Sequence, residues 1–189
     1  CAHPGGAAIC GAMLWYPDET IQHAGIVTGL GGYAGHSHKY KKKGGSGYLF
    51  RTSTVQDFSG VTGACLLVKT AVYDEMHGLD EQFAVAFNDV DFCLRVRDAG
   101  YRIAWTPYAE LIHYESKSRG GDEKDPVKAA RFAAEQQRLY TIHGKENILD
   151  DPYYNPNLTR DREDFSESDD LRRLKEGRVT VRFRGGTLQ

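Results

Sequence analysis

The stretch that decides the fold runs from His77 to His113. It reads His77-Gly78-Leu79-Asp80-Glu81, then Phe87-Asn88-Asp89-Val90-Asp91-Phe92, then Ala99-Gly100-Tyr101-Arg102, then Ile112-His113-Tyr114-Glu115. Asn88 suits a helix N-cap, where a side-chain oxygen accepts a backbone N–H one turn on. Asp89 and Asp91 then fall in the first turn, where the helix dipole favours negative charge. Asp91 and Arg95 stand at i, i+4 and are expected to pair on the exposed face. Phe92, Val96 and Ala99 share one stripe, and Gly100 suits the turn that follows. Strands are predicted over residues 102–106, stopped by Pro107, and over 109–113. The stretch therefore offers an acid pair at a helix start and one imidazole at a strand end. First-turn acids commonly only serve the helix end, and a lone histidine is more often structural than a ligand. Local pattern leaves both readings open.

Working outward, residues 7–16 are apolar and read as a buried strand, Pro17-Asp18-Glu19 as a turn, and residues 20–28 as a second strand containing His23. Glycines cluster over residues 29–60, with His36, His38 and the basic run Lys39, Lys41, Lys42, Lys43. A metal site at the two histidines and a phosphate or membrane contact at the lysines stand against the plainer reading of a solvated loop. Two histidines alone are too few for a structural zinc site, and no Gly-Lys-Ser/Thr ending marks a P-loop. Residues 61–68 read as a strand buried on both faces and 70–77 as a short helix closed by Gly78. Asp125-Pro126 opens a further helix, expected to run to about His143 and end at Gly144. From Asp150 the composition turns polar. Residues 171–175 suggest a helical turn and 179–183 an edge strand.

The run Thr62-Gly63-Ala64-Cys65-Leu66-Leu67-Val68-Lys69, then Gly78-Leu79-Asp80-Glu81, Asn88-Asp89-Val90-Asp91, Ala99-Gly100-Tyr101-Arg102 and His113 with Glu115-Ser116 resembles a known family. It is similar to the second half of family-2 glycosyltransferases of the GT-A type, of the bacterial rhamnosyltransferase-like kind, over roughly residues 7–120. Tyr153-Tyr154-Asn155-Pro156-Asn157-Leu158 resembles the segment that follows the catalytic domain in such enzymes. The resemblance implies an α/β fold: a partial GT-A fold with a mixed sheet flanked by helices. Residues 1–149 would be its acceptor-side half, and 150–189 an extended, partly irregular arm.

It also implies roles. Asp89 becomes the catalytic base of an inverting sugar transfer, and His113 a ligand of the divalent metal, Mg²⁺ or Mn²⁺. Gly63, Asp80, Asn88 and Asp91 fall on the acceptor side, with turn formation left open for Asp80. Arg119 would pair with the donor diphosphate, against the plainer reading of a solvated loop arginine. Asn88 stands where the family often has an acid. The implied partners are a nucleotide-sugar donor, a saccharide or lipid-linked saccharide acceptor, and an N-terminal half carrying an Asp-x-Asp metal motif. No such motif precedes residue 89, so the chain alone is expected to be inactive. A non-catalytic carbohydrate-binding or scaffolding module on the same half-fold is the alternative. A third reading is a metal hydrolase using His23, His36, His38 and His113.

The whole-chain quantities set bounds. A length of 189 residues suits one domain, and 40% hydrophobic residues suffice for a core. The net charge of −2 gives no nucleic-acid footprint. No apolar run approaches the roughly 20 residues of a membrane span. Cys1, Cys10, Cys65 and Cys93 are scattered, which reads as free thiols in a reducing cytoplasm. Peripheral association at the inner face of the membrane stays open.

Overall fold

The computed structural model describes residues 6–114, 125–169, 181–183 and 186–188. It is a mixed α/β structure in which a curled sheet is flanked by helices. The sheet is organised by strand β1 (Ile9–Trp15). Ile9, Ala12, Met13 and Leu14 are buried, so neither face of β1 meets water. At Gly11 a Cβ would come within 2.5 Å of the Val61 side chain, so this approach requires glycine.

Strand β2 (Ile21–His23) pairs antiparallel with the end of β1, and β6 (Leu66–Val68) pairs antiparallel with its start. The two share one edge of β1. On the other edge runs β7 (Ile103–Ile112), parallel to β1, with β5 (Gln56–Asp57) antiparallel beyond it. Strands β3 (Ile26–Thr28) and β4 (Ala34–His36) form a separate hairpin. The expected continuous strand over 20–28 is broken between β2 and β3 at Gly25, whose φ of +100° turns the chain.

Pro107 does not stop β7. The ladder with β1 runs to Ala12↔Thr106 and resumes at Met13↔Glu110, and this register slip absorbs the residue that cannot donate a hydrogen bond. The strand expected over 61–68 shrinks to β6. Its start is a 3-10 turn over Gly63–Cys65, and Leu67 is 64% exposed, so it lies at an edge and not inside two layers.

The helices that follow include α1 (Thr70–Glu75), α2 (Asn88–Asp98), α3 (Pro126–His143) and α4 (Lys145–Leu149). Asp125 caps α3 by accepting the Val127 amide at 2.9 Å, and Gly144 ends it, as the sequence predicts. Helix α2 is clamped from both sides. Phe92, Cys93 and Val96 enter the core built on the sheet, while Val90 and Leu94 join Phe83, Phe87, Leu139 and Ile148 beneath α3 and α4. Its cap position falls on Phe87 in the left-handed conformation, φ +63°, and Asn88 opens the helix instead.

Residues 29–60 are not a solvated loop throughout, although residues 42–45, 49–50 and 53–55 are exposed. Leu30, Gly35, Ser37, His38 and Thr52 are buried. The segment after residue 150 also folds inward. Asp151 accepts from the Thr28 amide at 2.7 Å, and Tyr154, Leu158 and Phe165 enter the main core. Residues 171–175 and 179–180 lie outside the described residues; β8 (Val181–Phe183) and β9 (Gly186–Leu188) pair as a hairpin. Among the described residues no helix is long and apolar enough to cross a membrane.

Candidate functional site

The N-terminus of α2 faces the 3-10 turn that precedes β6. The Thr62 side chain caps that turn, accepting from the Ala64 amide at 3.3 Å. The next amide, Gly63 N–H, donates to Asp89 Oδ2 at 2.8 Å, and Val90 N–H donates to Asp89 Oδ1 at 2.9 Å. Two backbone donors and the positive end of the helix dipole thus hold a half-buried carboxylate in one orientation. Gly63 is exposed and has no side chain, so open backbone adjoins that carboxylate. Asn88 stays beside it, its Oδ1 accepting the Asp89 amide at 2.7 Å.

Behind Thr62 lies His23, fully buried. Its Nε2 accepts from the amides of Gly25 at 3.3 Å and Thr62 at 3.4 Å. A nitrogen facing two N–H donors carries no proton, so the proton is on Nδ1 and is donated to His36 Nδ1 at 2.9 Å. Burial first, then the neighbouring His36 and His113, holds the His23 ring well below the ordinary histidine range and keeps it neutral. His113 follows β7 and is held by its amide donating to the Trp15 carbonyl at 2.8 Å. Its Nδ1 is buried without a hydrogen-bond partner among the described residues. Asp89 is linked to His23 through Gly63 and Thr62, and His113 is one of the charges that lower the His23 ring.

The remaining residues named from the sequence lie elsewhere. Asp91 is 1% exposed, and Arg95 Nε and His143 Nε2 each donate to it at 2.9 Å. The pair predicted for the exposed face is interior, because α3 covers that side of α2. Arg95 also donates to the Met76 carbonyl at 2.6 Å and the Gly78 carbonyl at 2.9 Å, so Asp91 orients the group that closes α1. Asp80 accepts two bonds from Arg138, at 2.5 and 3.1 Å, and one from the Gln82 amide. The Arg138 bonds, then the amide, hold its carboxyl below the usual range. Arg119 lies outside the described residues.

Among the described residues no three His, Cys, Asp or Glu side chains converge to hold a metal ion. The four-histidine hydrolase site does not assemble. His38 is spent on Ser37 Oγ at 2.7 Å and the Tyr48 amide at 3.0 Å, and His23 uses both ring nitrogens. Cys10, Cys65 and Cys93 are free thiols, and burial pushes Cys93 up to about 12, which leaves it protonated and inert. The contact of His23 with His36 had no local signal in the sequence, since it depends on β2 and β4 meeting across the break at Gly25.

No family model and no solved structure matches the chain. It is 48% identical to the uncharacterized protein y4gI of Sinorhizobium fredii over 161 residues, 85% of this chain and 18% of that protein. It is 35% identical to the O-antigen biosynthesis protein RfbC of Myxococcus xanthus over 150 residues, 79% of this chain and 11% of that protein. It is 32% identical to the N-acetylglucosaminyl-diphospho-decaprenol L-rhamnosyltransferase of Mycobacterium tuberculosis over 80 residues, 42% of this chain and 24% of that enzyme. The chain thus spans less than a quarter of the length of each of these relatives. The last two names suggest a glycosyltransferase-like family.

Proposed function

We propose that this chain is the acceptor-side part of a GT-A glycosyltransferase that moves a sugar, with inversion, from a nucleoside-diphosphate donor to a saccharide or lipid-linked saccharide. The carrying observation is the Asp89 carboxylate, half-buried at the start of α2 and fixed by the amides of Gly63 and Val90 beside open glycine backbone. In this reading an acceptor hydroxyl lies over Gly63. Its oxygen attacks the anomeric carbon from the face opposite the diphosphate, the carbon–phosphate-oxygen bond breaks, and the hydroxyl proton passes to Asp89. A base so placed contributes about 10²–10⁴-fold. The two N–H donors keep the carboxylate aimed without occupying all its lone pairs.

A divalent cation would neutralise the departing diphosphate. The Nδ1 of His113, without a partner among the described residues, fits one donor to such an ion. An imidazole suits Mn²⁺ better than Mg²⁺. With no three-residue cluster among the described residues, the other ligands would come from the diphosphate and from the donor-side half. Arg119 would meet the same diphosphate. Asn88 orients the first turn of the helix, whereas Asp91 and Asp80 act through structure.

The test is Asp89→Asn in the intact parent protein, assayed against a panel of sugar nucleotides. The expected result is a loss of at least about a hundredfold in kcat, with a cooperative thermal transition retained. Full activity in the variant removes Asp89 as the base.

A further inference from the structure

The segment between β4 and β5 carries an unusual surface. Leu49 is 75% exposed and Phe50 is 66% exposed, and both have positive φ, +47° and +61°. Large side chains rarely take that conformation without compensation. Here the backbone is locked from within. Tyr48 N–H donates to His38 Nε2 at 3.0 Å, Thr52 N–H to the Ser46 carbonyl at 3.0 Å, and the Thr52 hydroxyl to the Gly45 carbonyl at 2.9 Å. On the inner side, the Arg51 guanidinium lies 4.8 Å from the Phe58 ring and 5.5 Å from Phe165. That space is filled, so the two apolar side chains are held outward.

The basic run joins this tip. The Lys41 side chain reaches Gly45, to which Thr52 is bonded. Lys39, Tyr40 and Lys41 line, with Tyr48 and Asp164, a cleft of about 310 Å³. Tyr40 is 65% exposed. Lys43 is neutralised by Glu110 at 3.1 Å, and Asp164 pairs with Arg162 at 3.7 Å. For Lys39, Lys41 and Lys42 no ion pair with a carboxylate occurs among the described residues. Outward apolar side chains next to Tyr48 and Gly45, which Lys39 and Lys41 approach, complement a surface that is greasy below and anionic above.

We propose that this tip docks the chain on an anionic lipid bilayer, with Leu49 and Phe50 entering the headgroup boundary and Lys39, Lys41 and Lys42 meeting lipid phosphates. The contact involves neither Asp89 nor His113, so it stands or falls apart from the transferase reading. The test is co-sedimentation of the 189-residue chain with vesicles of equal parts phosphatidylglycerol and phosphatidylcholine, against pure phosphatidylcholine. Each lysine contributes about fivefold to partitioning, so Lys39→Gln/Lys41→Gln/Lys42→Gln is expected to lose about a hundredfold on the anionic vesicles. Leu49→Ser/Phe50→Ser is expected to lose at least about tenfold. Salt near 1 M is expected to release the wild type. All these side chains are exposed or half-buried, so an unchanged thermal midpoint verifies the fold. No binding by the wild type, or binding unchanged in either variant, overturns the proposal. So does equal binding to a soluble acidic polysaccharide that ignores Leu49→Ser/Phe50→Ser, which would make the patch a polyanion site.

Discussion

His38 is a residue whose burial fixes its chemistry. It is 2% exposed, with φ +57° and its ring stacked 4.2 Å from Phe165. Nε2 accepts the Tyr48 amide, so Nδ1 holds the proton and donates it to Ser37 Oγ. Burial, and then the charges of Arg51 and Lys41, depress the ring from 6.5 to about 4. An unfolded chain takes up a proton near 6.5 while the folded chain does not until about 4. Between those values the unfolded state binds more protons, so the stability His38 contributes is present above pH 6.5 and is lost as pH falls towards 4. The full loss is on the order of 3 kcal/mol. Asn tolerates a left-handed backbone but does not titrate, so His38→Asn is expected to be less stable at neutral pH by a margin that narrows as pH falls through that window. Urea unfolding at a series of pH values reads this directly, and a constant margin would contradict it.

At the level of elements, the joint between α2 and α3 rests on Asp91. Its buried carboxylate takes bonds from Arg95 and His143, and Arg95 in turn closes the end of α1. Removing one partner strands the others in a dry interior, so Asp91→Ala is expected to cost about 3–5 kcal/mol. Chemical denaturation measures it, and a cost below about 1 kcal/mol would mean that water replaces the carboxylate. Helix α3 was legible in the sequence because its caps Asp125 and Gly144 are local signals, and α2 because the Phe92–Val96 stripe is one, although its cap falls on Phe87 and not on Asn88. The first-turn position of Asp89 was legible for the same reason. What failed was non-local. Pro107 looked like a strand stop until β1 supplied a ladder that could slip past it. Asp91 and Arg95 looked exposed because i, i+4 spacing carries no information about the helix that covers them. The glycine-rich stretch over 29–60 looked solvated because its anchors, Arg160 and Glu163, lie more than a hundred residues away in sequence.

For the molecule as a whole, the decisive question is what completes the sheet's core. The polar composition after residue 150 suggests an arm, yet its few apolar residues are spaced to fill one hole. Tyr154 donates its hydroxyl to the Thr159 carbonyl at 2.6 Å, which curls the segment so that Leu158 and Phe165 follow it inward. Phe165 then contacts the rings of His38, Tyr48 and Tyr154 and the Arg51 guanidinium. The Glu163 carboxylate accepts the His36 amide at 2.7 Å, tying the same segment to β4 and, through His36, to His23 behind the candidate site. The late segment is therefore part of the wall that positions the site. Phe165→Ala removes a ring from a close-packed cluster and is expected to cost about 3–5 kcal/mol. Because that cluster also backs the Leu49–Phe50 tip, the variant should loosen residues 36–52 before the sheet opens. Amide hydrogen exchange separates the two models. Faster exchange at Tyr48 and Thr52, with Ile9 to Leu14 still protected, is the expected outcome. Unchanged exchange at Tyr48 and Thr52 would mean that residues 151–169 merely lie on a core that is complete without them.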